Sequence, residues 1–176
     1  MDSYETLLFE QRDDGIAIVT LNRPEVLNAF NQLMQAELGD LWRSLRTNED
    51  VRVVILTGAG EKAFCTGIDR AESIDQYLED PTAVQGTGRV TSPFMYDDPG
   101  DSLNPKSNDL WKPVIAAVNG MACGGALYML GEADIIIAAE HATFALPEIN
   151  SGTLADAATI KLPRRIPYHV AMEMLF

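Results

Sequence analysis

Val51-Arg52-Val53-Val54-Ile55-Leu56-Thr57-Gly58-Ala59-Gly60, followed by Ala63-Phe64-Cys65-Thr66-Gly67-Ile68-Asp69, is the stretch on which the fold turns. Val51–Thr57 is a short, β-branched apolar run, the pattern of a strand buried on both faces of a parallel sheet. Gly58-Ala59-Gly60 ends it, and Phe64–Asp69 reads as a small-residue turn before a helix start. The layout recurs downstream. Val114–Val118 is a second buried strand, Asn119-Gly120-Met121-Ala122-Cys123-Gly124-Gly125 a second turn, and a short helix runs on to about Leu130. The first N–H groups of a helix lack an internal partner, and glycine lets a ligand approach the backbone closely. Either turn alone is explained as a tight strand–helix connection. Together they can aim two amides at one oxygen, an oxyanion hole in which each donor is worth about 2.7–4 kcal/mol.

Outward from this stretch, Tyr4–Glu10 and Ile16–Leu21 read as a strand pair around the turn Arg12–Gly15, with Leu7, Phe9, Ile16, Ile18 and Val19 as buried positions. Asn22-Arg23-Pro24 signals a turn. Met34, Leu38, Leu41, Trp42 and Leu45 fall at helical spacing between Asn31 and Arg46, with Asn31 as N-cap. Ala133–Ala139 is expected as a third buried strand and His141–Phe144 as a short fourth, with closing helices over Ala155–Leu162 and Tyr168–Phe176. Ser73–Asp109 is rich in Pro and Gly and reads as a long mobile connection with at most one or two short helices. Alternating strands and helices make the class α/β, in one domain over residues 1–176. The last helix runs to the chain end with no capping glycine, so the sequence is expected to be truncated.

The 176 residues, 47% hydrophobic and 22% charged, suit one globular core. A formal charge of -13 disfavours nucleic acid and anionic membranes as partners, and no apolar run is long enough to span a bilayer. The first twenty residues are too acidic for a signal or transit peptide, which makes the cytoplasm the expected location. Cys65 and Cys123 are read as two buried thiols, with a disulfide as the alternative. No metal-ligating constellation and no G-x-S-x-G elbow is visible. Gly58-Ala59-Gly60-Glu61-Lys62-Ala63 fits the dinucleotide fingerprint G-x-G-x-x-A, but Phe64-Cys65-Thr66-Gly67 follows where a helix should open.

Asn22-Arg23-Pro24 with Asn28-Ala29, Ala63–Asp69, Lys112–Gly120 with Gly124-Gly125, Ala133-Asp134, Ala142-Thr143-Phe144 and Pro147-Glu148 together resemble the enoyl-CoA hydratase/isomerase (crotonase) family in order and spacing. The resemblance covers nearly the whole chain and fails in Ser73–Asp109. It implies a spiral of ββα units, CoA thioester substrates, no cofactor beyond the CoA moiety, and trimers or hexamers in the full-length protein, built with C-terminal helices that this chain lacks. It places the oxyanion hole at the amides of Ile68 and Gly125. It places the bent CoA along Arg23–Ala29, including Leu27, and beside Gly67 and Ile68, with Arg23, Lys62 and Arg70 as candidate cations.

Glu148 follows Pro147 in an apolar context, and burial there would raise its pKa into a range suited to proton transfer. It matches the family's second catalytic glutamate; the alternative is a solvated helix-starting charge. The family's hydratases carry another glutamate three residues after the oxyanion-hole glycine, where this chain has Tyr128. A phenol with a pKa near 10 does not replace a carboxylate as base without a large shift. Asp156 stands where some relatives place a catalytic aspartate, its alternative being a helix cap. His141 reads as a surface turn residue and His169 as a helix residue. The resemblance therefore favours single-base isomerisation or a dehydration of the carnitinyl-CoA type over two-glutamate hydration. A non-catalytic CoA-ester binder is the alternative.

Overall fold

The computed structural model describes residues 4–72, 83–84, 88–89 and 98–176. Strands β1 (Leu7–Gln11), β2 (Ile16–Leu21), β3 (Val53–Gly58), β7 (Val114–Val118) and β9 (Ile135–Ala138) form a five-stranded sheet in the order β1-β2-β3-β7-β9. β1 and β2 pair antiparallel as a hairpin, and every later pairing is parallel. A second sheet, ordered β10-β8-β4, is built from β4 (Ala63–Cys65), β8 (Met121–Cys123) and β10 (Phe144–Ala145), all parallel. Two-residue strands β5 (Ala83–Val84) and β6 (Gly88–Arg89) pair with each other.

The chain steps from the large sheet to the small one and then into a helix, three times over. β3 and β4 precede a helix beginning at Arg70; β7 and β8 precede α3 (Ala126–Glu132); β9 and β10 precede α4 (Glu148–Ser151). This is the expected spiral of ββα units. The small strands lie inside stretches whose glycines suggested only turns, because three residues carry no readable periodicity.

Helix α1 (Gln32–Thr47) forms as its pattern predicts: the Asn31 side chain accepts from the Met34 amide at 2.9 Å, and Met34, Leu38, Leu41, Trp42 and Leu45 are buried. In β2 the fully buried side chains are Ala17, Val19 and Leu21, whereas Ile16 and Ile18 point to the opposite, half-buried face. Strand side chains alternate, so Ile16 and Ile18 cannot share a face with Val19. β9 was expected to be buried but is an edge strand, with Ile135, Ile136 and Ile137 exposed. The short strand expected at His141–Phe144 falls at Phe144–Ala145, and the helix expected over Ala155–Leu162 is a four-residue turn, α5 (Asp156–Thr159), followed by a 3-10 turn. α6 (Tyr168–Leu175) closes the chain.

The one or two short helices expected within the connection Ser73–Asp109 lie at its C-terminal end. There α2 (Gly100–Leu103) and a 3-10 turn at Lys106–Asn108 pack into the core, with Leu103 fully buried and its carbonyl accepting from the Trp42 indole N–H at 3.0 Å. Most of the remainder of that segment lies outside the described residues. Both cysteines are free and buried.

Candidate active site

The two glycine turns meet. A Cβ placed on Gly67 would stand 3.0 Å from the Gly125 nitrogen and 3.2 Å from the Cys123 carbonyl oxygen, and Gly67 has φ +88°, a conformation open to glycine. The contact is enforced from below by parallel pairing of β4 with β8, Ala63 opposite Met121 and Cys65 opposite Ala122, with a register shift between them. Asn119 cross-ties the preceding loops: its side-chain oxygen accepts from Gly58 N–H at 3.0 Å, and its amide donates to the Gly60 carbonyl at 2.8 Å.

The direction of the Ile68 amide follows from its own peptide plane. The Gly67 carbonyl accepts from Phe30 N–H at 2.8 Å, and in a trans peptide the following N–H points the other way. Asp69 N–H returns to the Phe30 carbonyl at 2.8 Å, so Ile68 is held on both sides while its N–H faces away from Phe30. Gly125 caps α3. Among the described residues neither the Ile68 nor the Gly125 amide donates to a protein acceptor.

Glu148 opens α4 after Pro147 and is half-buried. A Cβ placed on Gly124 would lie 2.8 Å from its Oε1, so the carboxyl group is seated against the turn that presents Gly125. Burial pushes its pKa up, and the nearby Asp156 carboxylate adds to the rise. Cys123 is raised as well, by burial and then by Glu148. Asp156 is exposed and accepts from the Ala157 amide at 2.8 Å. It is the first residue of α5, whose capping position is occupied by Ala155, so the cap expected of Asp156 is displaced by one residue. Tyr128 is buried in α3, and its Cδ1 lies 3.0 Å from where a Cβ on Gly100 would stand.

The structure thus gathers Gly67, Ile68, Gly125 and Glu148 about one turn pair, with Asp156 within electrostatic reach of Glu148. Of the predicted CoA-contacting residues, Arg23 and Ala29 are tied to the Ile68 segment: Arg23 donates to the Ala29 carbonyl at 2.7 Å and to the Asp69 carboxylate at 2.9 Å. Both terminal guanidinium nitrogens are thereby engaged, which makes Arg23 a brace of this loop pair rather than a free cation. Leu27 is partly exposed, and its carbonyl accepts from the Thr66 hydroxyl at 3.3 Å. Lys62 and Arg70 are exposed. His141 is an exposed residue bonded to the Asn119 carbonyl, as its reading had it.

Sequence reasoning missed Phe30, and it had Asn28 only within the motif Asn28-Ala29, without a role. Asn28 is fully buried at φ 56°, donating to the Ala59 and Ala63 carbonyls and accepting from Arg23 N–H, and so welds the Arg23–Ala29 loop to β4. The signal for it was an Asn followed by apolar residues inside a turn. Among the described residues there is no cluster of His, Cys, Asp and Glu able to hold a metal, and no helix long and apolar enough to cross a membrane. A cavity of about 410 Å³ lies elsewhere against α3, lined by Leu127, Leu130, Ile136, Phe144, Leu162 and Ile166 among others, and contains none of the predicted catalytic residues.

Comparison with known proteins bears on this geometry. The family described as Enoyl-CoA hydratase/isomerase matches residues 11–176. The chain is 42% identical over 161 residues to (E)-benzylidenesuccinyl-CoA hydratase of Thauera aromatica, covering 91% of this chain and 58% of that protein. It is 37% identical over 158 residues to carnitinyl-CoA dehydratase of Proteus mirabilis, covering 89% of this chain and 55% of that one. The crystal structure of an enoyl-CoA hydratase/isomerase from Mycobacterium paratuberculosis superposes with a TM-score of 0.82 at 31% identity, over 98% of this chain and 62% of the other. The chain therefore spans less than two thirds of the length of these relatives.

Proposed function

The chain belongs to the enoyl-CoA hydratase/isomerase family, and from that premise we propose that it processes acyl-CoA thioesters through an enolate stabilised by the amides of Ile68 and Gly125, with Glu148 moving the proton at the α-carbon. One observation carries the reading: the Gly67–Gly125 contact holds two outward amides together while Gly124 seats the Glu148 carboxyl group beside them. The thioester oxygen gains negative charge as the α-proton leaves. Preorganised N–H donors stabilise that charge without reorganising. Burial raises the Glu148 pKa above the ordinary carboxyl value, the direction that favours a carboxyl group able to take and return a proton.

The relatives named as a hydratase and a dehydratase support addition or removal of water across the bond next to the thioester as the reaction class. The residue at position 128 separates this chain from a two-glutamate arrangement, and it is the observation that favours the second reading, a CoA-ester binder without turnover. Assembly into trimers or hexamers belongs to the same proposal, and sedimentation velocity checks it. The deciding experiment incubates the protein with a panel of acyl-CoA thioesters in heavy water. Deuterium should enter the α-carbon with wild-type protein and not with Glu148→Gln. Equal uptake by both would remove Glu148 from the mechanism, and binding without uptake by either would establish the binder.

A further inference from the structure

Resting on the reading above, we propose that Phe30 is the positioning residue of the two-amide site. Its backbone sets the Ile68 amide, its ring sets the Gly125 amide, and position 125 is glycine because of that ring.

The glycines of the two turns answer to different demands. Gly67 and Gly124 have φ +88° and +54°, values that a side chain resists. Gly125 does not: at φ -59° and ψ -10° it occupies the right-handed helical region open to every residue. What position 125 lacks is room. A Cβ there would stand 2.6 Å from Phe30 Cε1 and 2.7 Å from Phe30 Cζ, whereas the next atom, Gly67 Cα, is an ordinary 3.6 Å away. The obstruction is confined to the tip of one ring. Phe30 is 1% exposed within the hydrophobic core, so close packing on all sides keeps the ring from swinging aside.

The same residue holds the other turn by its main chain. Phe30 N–H donates to the Gly67 carbonyl and the Phe30 carbonyl accepts from Asp69 N–H, both at 2.8 Å, in a parallel bridge with Ile68. Turning over the Gly67–Ile68 peptide would break the first of these bonds. Tilting the Gly125 turn towards Phe30 would drive it into the ring. The amides come from two different strand–helix turns, and Phe30 touches both.

The test uses Phe30→Leu, Gly125→Ala and the double variant. A leucine ends where the ring's Cδ atoms stand, and those atoms lie farther from the added methyl than the three nearest. It therefore keeps the backbone bonds and removes Cε1 and Cζ. Each single substitution is expected to lower the urea midpoint, and the double variant to recover part of what Gly125→Ala loses. Additive losses would overturn the ring as the reason for glycine.

The amides themselves are read by infrared spectroscopy of bound butyryl- and 3-phenylpropanoyl-CoA carrying ¹³C at the thioester carbonyl. Two aligned donors lower that carbonyl stretch, and Phe30→Leu is expected to lessen the shift. Its kcat should fall about 10²-fold, the loss that goes with a misplacement of about 1 Å, and kcat/KM should fall with it while KM holds. Phe30→Met, unbranched and adaptable, repeats these measurements if the leucine variant does not fold. A residue that only packs the core would lower the midpoint and leave the carbonyl shift intact, and that result overturns the proposal while the acyl-CoA reading stands. No shift with wild type on either thioester removes the acyl-CoA reading, and this proposal falls with it. The midpoints and the shift require no turnover, so they decide the matter for a CoA-ester binder as well.

Discussion

Replacing Gly67 by alanine should damage stability and chemistry together, and the structure says by how much. At φ +88° an L side chain is strained, which costs about 1–2 kcal/mol. The new methyl would also sit 3.0 Å from the Gly125 nitrogen and 3.2 Å from the Cys123 oxygen. Both are backbone atoms that cannot swing aside, so overpacking adds about 1–3 kcal/mol. Gly60→Ala is the control: its φ is +78°, but the nearest atom to the added methyl is Pro24 Cβ at 3.7 Å, an ordinary contact. Urea unfolding should therefore show Gly67→Ala destabilised by about 2–5 kcal/mol and Gly60→Ala by about 1–2 kcal/mol. Relief of the clash pushes the Gly125 amide out of line, and misplacing one oxyanion donor lowers kcat about 10²–10³-fold. The refuting result is equal destabilisation of the two variants with turnover of Gly67→Ala intact, since the turns would then not be in contact.

Asn28→Ala removes two donations to carbonyls and the acceptor for Arg23 N–H in a fully buried position; orphaned buried groups make a loss of about 2–4 kcal/mol the expected outcome in the same unfolding assay. Glu148 has a pKa raised by burial and by Asp156. Folding therefore favours the protonated form of this group, and the sign follows: the contribution of Glu148 to stability is fully present below the ordinary glutamate value of 4.5 and is lost as pH rises through the folded pKa. Glu148→Gln should flatten that fall, and parallel pH–stability curves for the two proteins would contradict it. Burial pushes the Cys65 thiol up to about 12, so iodoacetamide at pH 8 should leave it unmodified in the native protein and alkylate it in urea, as peptide mass analysis will show.

What could be read from the sequence was whatever a local pattern encodes. Met34, Leu38, Leu41 and Leu45 lie on one stripe behind a capping Asn31, so α1 is legible residue by residue. β3 and β7 are legible because a central parallel strand is apolar on both faces. Ile135–Ile137 carry the same composition, yet their strand pairs only with β7 and stands at the edge. Edge or centre is decided by strand order, which no window of sequence contains. Leu103 was hidden for a related reason: the Pro- and Gly-rich stretch around it looks like a loop, and partners far away in the chain, the Trp42 indole and the Arg43 guanidinium among them, fix its end. Ile68, Gly125 and Glu148 could be named early because a resemblance supplied their roles. The residues that hold them in place could not.

Phe30 shows how the holding is done. Its backbone accepts and donates one hydrogen bond each with the segment around Ile68, and its ring lies 2.6 Å from where a Cβ on Gly125 would stand. One residue thus sets the orientation of the first amide by hydrogen bonding and limits the second by packing. Two small strands alone would bring the turns together but leave each free to rotate about its glycine. Anchoring both turns on Phe30 couples their positions, and Asn28 and Arg23 anchor Phe30's own loop to β4 and Asp69. The precision of the two-amide arrangement therefore resides in the Arg23–Phe30 loop, which sits on neither of the elements that supply the amides. That explains why Asn28, Ala29 and Phe30 are buried although Pro24, Glu25, Val26 and Leu27 just before them stand exposed.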